Sequence, residues 1–92
     1  MIRSFRDREA ERLFRDEASK KYRSIERIAR RKLLMPDDAK TPDELAALPG
    51  NRLKALKGDR LGRYSIRIND QYRICFTWSP ADAFAVEIVD YH

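Results

Sequence analysis

The chain has 92 residues, 42% of them hydrophobic and 38% charged, which suffices for one small core under a dense ionic shell and points to a single domain over residues 1–92. One cysteine and one histidine exclude an internal disulfide and a zinc cluster. No apolar run approaches the roughly 18 residues of a membrane span and no apolar segment follows Met1, so residence in the cytoplasm is expected.

The net charge of +5 is unevenly spread: residues 1–32 carry twelve Lys/Arg against six Asp/Glu, residues 33–50 one against four, and residues 51–92 seven against five. A polyanion, nucleic acid first, is the obvious partner class for the two basic parts; the competing reading is a solvated basic surface without a partner.

Ile2-Arg3-Ser4-Phe5 alternates apolar and polar, which predicts a short first strand. Asp7 is placed to cap a helix that buries Ala10, Leu13, Phe14 and Ala18. A second helix is expected from about Tyr22 to Met35, with Tyr22, Ile25, Ile28, Ala29 and Leu33 on its buried side and Arg23, Arg27, Arg30 and Arg31 opposite. That guanidinium stripe suits RNA phosphates, an acidic protein partner or plain solvent. Pro36-Asp37-Asp38 should end the helix, because proline disfavours helical geometry at the residue before it. Thr41-Pro42-Asp43-Glu44 reads as a capping box, followed by one or two turns through Leu45, Ala46, Ala47 and Leu48 before Pro49-Gly50.

From Asn51 the period changes to that of strands. Tyr64, Ile66 and Ile68 alternate with Arg63, Ser65 and Arg67; after a turn at Asn69-Asp70-Gln71, Tyr72, Ile74, Phe76 and Trp78 alternate with Arg73, Cys75 and Thr77. Ser79-Pro80-Ala81-Asp82 turns the chain into a last strand over residues 83–90, apolar on both faces at its start as a covered strand would be. The expected fold is α+β: an N-terminal strand and two helices packed on one face of an antiparallel sheet of four to five strands.

With Tyr72, Ile74, Phe76 and Trp78 under the helices, the pleat turns Arg73 to the other side of the sheet, read here as an uncovered face where an arginine can bind an anion. Lys54, Lys57, Arg63 and Arg67 would join it on a concave surface fit for single-stranded nucleic acid, with tyrosines as stacking platforms. Surface charge on a wet sheet face is the alternative. Cys75 reads as a buried structural thiol. Asp90-Tyr91-His92 follows directly on an apolar strand pattern, putting a carboxylate, a ring and the sole imidazole together where a frayed tail would be ordinary. Scattered carboxylates disfavour metal-assisted hydrolysis, and the separation of Cys75 from His92 disfavours a nucleophilic triad. Attack by an RNA 2′-hydroxyl on its neighbouring phosphate remains, which needs a base, an acid and positive charge but no cofactor.

Leu56-Lys57-Gly58-Asp59-Arg60, Tyr64-Ser65-Ile66-Arg67, Tyr72-Arg73-Ile74 and Asp90-Tyr91-His92, in that order and over almost the whole chain, resemble the HigB family of bacterial toxins within the RelE/ParE superfamily. The resemblance implies a type II toxin–antitoxin system, in which a small ribonuclease enters the ribosomal A site, cuts the mRNA there and is neutralised by a helix-turn-helix (HigA-like) antitoxin. Operator DNA would be met only through that antitoxin, and no membrane is involved. By the same resemblance His92 would be general acid or base, Asp90 its orienting or proton-sharing partner, Tyr91 a stacking or positioning ring, and Arg73 and Lys57 the phosphate stabilisers. Lys54, Arg60, Arg63 and Arg67 would bind RNA. Lys54 stands where relatives often carry His, so proton transfer would rest on His92 and Asp90. Two other readings are a ParE-like inhibitor that binds DNA gyrase without catalysis, and an RNA- or protein-binding module with a degenerate site.

Overall fold

A computed structural model describes residues 1–56 and 62–90 of the chain. Three helices, α1 (Arg8–Phe14), α2 (Glu26–Asp38) and α3 (Pro42–Ala46), precede four strands, β1 (Lys54–Ala55), β2 (Arg63–Arg67), β3 (Tyr72–Trp78) and β4 (Ala83–Asp90). The strands form one antiparallel sheet in the order β1-β2-β3-β4, the meander expected from the alternation of apolar residues.

Asp7 starts α1 as expected, its Oδ1 accepting from the Glu9 N–H at 2.9 Å, which satisfies one of the helix's orphan donors. The helix is shorter than its apolar spacing suggests. It stops at Phe14 because Asp16 takes a left-handed conformation, φ 64°, so Ala10 and Leu13 are buried while Ala18 is exposed.

The second helix departs from expectation at both ends. A 3₁₀ turn over Arg23–Ile25 comes first, and α2 runs through Pro36 to Asp38 instead of stopping before the proline. Pro36 sits in the last turn, where its missing N–H forfeits one bond; it is buried, and the next residue, Asp37, accepts the Ile2 N–H at 2.8 Å. Tertiary contact thus holds a turn that local preference disfavours. In α3 Thr41 and Glu44 form the expected capping box, the Glu44 carboxylate accepting the Thr41 N–H at 3.0 Å. Leu45 is buried, but the helix ends before Leu48, which is exposed.

The expected first strand is reduced to two isolated parallel bridges, Ile2 to Ala83 and Phe5 to Val86. The cause lies in β4. Cys75 pairs with Glu87 and Thr77 with Phe84, so Ala85 and Val86 together face Phe76, and Ala85 takes φ 51°; this is a bulge. The Ala85 N–H turns outward to Ser4 Oγ at 2.9 Å. Backbone bonds from Arg3 to Ala83 and from Arg6 to Val86 still cover the outer edge of β4, which accounts for its apolar start at both faces.

Tyr22, Ile25, Ala29 and Leu33 from the helical layer meet Ile66, Ile74, Phe76, Val86 and Ile88 from the sheet in one core. At 25 cal/mol per Å², each large aliphatic side chain so buried contributes about 2 kcal/mol. No helix among the described residues is long and apolar enough to cross a membrane.

Candidate RNA-binding and catalytic face

Residues directly opposite in an antiparallel pair share a face. Lys54 pairs with Ser65, Arg63 with Thr77, Ser65 with Cys75, Arg67 with Arg73, and Cys75 with Glu87. The face turned away from the helices therefore does gather Lys54, Arg63, Arg67 and Arg73, as the alternation predicted.

It is not, however, the open surface expected around Arg73. That side chain is 6% exposed, and its guanidinium is already held: Nε donates to Ser65 Oγ at 2.9 Å, and Nη2 to the Arg52 carbonyl at 2.7 Å and the Ser65 carbonyl at 3.3 Å. Arg52 takes φ 46°, a left-handed state that costs a non-glycine residue about 1 kcal/mol, and its carbonyl accepts from the guanidinium. These bonds run to one side-chain hydroxyl and two backbone carbonyls. They fix the plane of the fork.

Arg63 is used differently. It is 9% exposed, and it donates to Thr77 Oγ1 at 3.0 Å and to Glu87 Oε2 at 2.8 Å, with a weaker contact to the Ala85 carbonyl. Glu87 also receives Arg6 at 3.2 Å. Arg67 pairs with the exposed Asp70 three residues on. Of the expected RNA-contacting cations, Arg63 is therefore tied into the sheet, Arg67 is countered by a fully exposed carboxylate, and Lys54 is exposed on the short β1. Cys75 is buried, as expected of a structural thiol.

The stacking platforms are a second correction. Tyr64 stacks on Phe76 with ring centroids 6.3 Å apart, and Tyr72 meets Tyr22 edge-on at 5.8 Å. Both rings lie on the helix side of the sheet, where the apolar alternation belongs, and serve the core.

Asp90 pairs with Tyr72 and Val89 with Arg73, so the pleat sends Asp90 to the helix side and Arg73 to the other. Gln71 Nε2 donates to Asp90 Oδ2 at 3.1 Å, closing the end of the β3–β4 ladder. Lys57, Arg60, Tyr91 and His92, the remaining expected site residues, lie outside the described residues. Among the described residues, no three His, Cys, Asp or Glu side chains stand close enough to hold a metal ion.

Sequence reasoning missed the groups that hold Arg73, above all the Arg52 carbonyl, because nothing in a residue's identity signals a left-handed arginine. It also missed a buried polar contact below the sheet. Lys32 Nζ donates to Asn51 Oδ1 at 2.6 Å, and Asn51 Nδ2 donates to the Leu45 carbonyl at 3.1 Å. Burial, followed by the positive fields of Arg31 and Arg67, pulls the Lys32 ammonium below its usual range. The Asn51 carbonyl accepts the Arg67 N–H at 2.6 Å, so this amide sets the approach of the chain to β1 and β2.

Comparison with known proteins converges on the same class. A family described as HigB-like toxin, the RelE-like toxin of the type II toxin–antitoxin system HigB, matches residues 3–92. The chain is similar to Toxin HigB-1 of Vibrio cholerae serotype O1, with 39% identity over 82 residues that cover 85% of this chain and 84% of that protein. An α+β chain whose helices pack on one face of a four-stranded antiparallel meander, matched across nearly its full length, belongs to the HigB-like family of RelE-type toxins of type II toxin–antitoxin systems.

Proposed function

We propose that residues 1–92 act as one ribosome-dependent mRNA endoribonuclease, which cuts in the ribosomal A site and so arrests translation in the cytoplasm. Toxins of the HigB family are typically enzymes of this kind. The observation that carries the reading here is Arg73: a guanidinium on the sheet face away from the helices, its plane set by one hydroxyl and two backbone carbonyls. Positive charge oriented before the reaction and shielded from water stabilises a phosphorane better than a solvated cation, because nothing must reorganise as charge develops.

In the proposed reaction the 2′-oxygen forms a bond to the adjacent phosphorus while the bond to the 5′-oxygen breaks. The 2′-hydroxyl proton passes to a base, and the leaving 5′-oxygen takes one from an acid. The products are a 2′,3′-cyclic phosphate and a 5′-hydroxyl, with no water consumed. His92 serves proton transfer, and Asp90 acts on His92, since the strand register assigns it to the side away from Arg73. Tyr91 positions a nucleotide, while Arg73 and Lys57 hold the phosphate. Lys54, Arg60 and Arg67 guide the strand. Arg63 is assigned to holding the sheet, given its bonds to Glu87 and Thr77. The ribosome supplies the aligned mRNA that a site built from so few proton-transfer groups cannot arrange alone.

The test is addition of the purified protein to a translating extract and, in parallel, to the same mRNA without ribosomes. Cleavage confined to the translated message is expected. Intact mRNA together with inhibited gyrase supercoiling would replace this reading with the ParE-like one.

A further inference from the structure

Among the described residues, many of the guanidinium groups are already engaged. Arg3, Arg6, Arg15, Arg30, Arg63 and Arg67 each pair with a carboxylate, and Arg73 is enclosed by hydrogen bonds. Along the outer side of the second helical segment three cations instead lie close together in sequence without such partners. Arg23, Arg27 and Arg31 are exposed, and among the described residues none makes an ion pair or side-chain hydrogen bond.

Arg27 and Arg31 are four apart on α2, so their side chains leave the same face about 6 Å from one another. Like charges at this spacing destabilise a helix by a few tenths of a kcal/mol. Glu26 does not relieve them, because it faces the other way and pairs with Arg30 at 3.2 Å. Between the two guanidiniums lies a groove of about 360 Å³, lined by Ser24, Ile25, Arg27, Ile28 and Arg31. Its floor is aliphatic and its rim cationic.

We propose that this groove receives an acidic amphipathic segment of the antitoxin, with an aliphatic side chain seated on Ile25 and Ile28 and carboxylates paired to Arg27 and Arg31. The identity of the partner rests on the toxin–antitoxin reading; its chemistry rests on the groove. Charge complementarity selects an anion, and the aliphatic floor selects among anions. A phosphate backbone would satisfy the rim and leave the floor wet, whereas a peptide with alternating carboxylate and aliphatic residues at helical spacing fills both. An anionic partner also removes the repulsion between Arg27 and Arg31, so complex formation should stabilise α2.

The experiment titrates the purified antitoxin into wild-type toxin and into R27Q/R31Q, with R8Q/R15Q, at the start of α1 and just past its end, as a control of equal charge change. R27Q/R31Q keeps good helix-forming residues on an exposed face and removes a like-charge pair, so it should fold. The proposal expects affinity to fall about ten-fold in R27Q/R31Q, its salt dependence to flatten, and the control to bind as wild type. R27E/R31E should lose more. Unchanged affinity in R27Q/R31Q overturns the proposal, as does an equal loss in the control. Weaker ribosome co-sedimentation with unchanged antitoxin affinity would assign the groove to RNA instead. These are binding measurements and require no cleavage, so failure of the nuclease reading would leave their outcome legible.

Discussion

Lys32 and Asn51 meet at 2.6 Å inside the fold, 5% and 0% exposed, and the contact joins the middle of α2 to the segment that leads into the sheet. Among the described residues the ammonium has no carboxylate partner, and the amide oxygen is what makes its burial tolerable. Asn51→Leu should cost about 3 kcal/mol, because it leaves a charge buried without an acceptor. Lys32→Met should cost less, and the double variant less than the sum of the two; urea denaturation of all four proteins measures the coupling.

The same ammonium sets a pH dependence. Its folded-state affinity for a proton is below the unfolded one, so in the alkaline window between the two values the unfolded chain binds more protons and stability rises with pH. The wild-type curve should gain on that of Lys32→Met as pH climbs through this window. Parallel curves would show that Lys32 titrates normally.

Asp7 ties three elements together. Its Oδ1 caps α1, and its Oδ2 accepts the Tyr22 hydroxyl at 2.9 Å and the Ile88 N–H at 3.3 Å. Burial, then the Asp7 hydrogen bond and charge, push the Tyr22 phenol well above its usual range. A raised folded-state value gives stability that is complete below the ordinary tyrosine range near pH 10 and is lost as pH rises beyond it. Tyr22→Phe should lower stability at neutral pH by about 1 kcal/mol and flatten this alkaline loss. Asp7→Ala should cost about 2 kcal/mol, since it removes a helix cap and two further bonds.

Arg63 and Glu87 separate a structural role from an RNA-binding one. Their ion pair, 2.8 Å long with side chains 10% and 21% exposed, holds β2 to β4 across β3. Glu87→Ala should cost about 2 kcal/mol by leaving a nearly buried guanidinium short of its carboxylate. Arg63→Ala should lower thermal stability, and any loss of activity should track unfolding without changing the salt dependence of ribosome binding. A reduced salt slope in a stably folded Arg63→Ala protein would return this residue to the RNA interface.

Much of the architecture was legible because it follows from period alone. The 3.6-residue spacing of Ile25, Ala29 and Leu33 and the two-residue spacing of Tyr72, Ile74 and Phe76 are fixed by burial on one face, and the structure keeps both. Element ends depend on single backbone angles and distant partners, which is why the stop at Asp16, the passage through Pro36 and the bulge at Ala85 were not readable. The cationic residues on the sheet were found, but not their use. Alternation predicts which way Arg63 and Arg73 point, whereas whether they meet solvent depends on Glu87, Thr77 and the Arg52 carbonyl, all far away in sequence. The family was readable from the order of short motifs, and the matched span of residues 3–92 bears that out.

Proton transfer through His92 is the step on which the proposed cleavage of translated mRNA rests. The direct measurement is the cleavage rate of a ribosome-bound message by wild-type protein and by His92→Ala, with far-UV circular dichroism confirming that the variant is folded. Loss of about 100-fold or more in rate is predicted, the range associated with removing a general acid or base. Cleavage by the folded variant at the wild-type rate would contradict the claim.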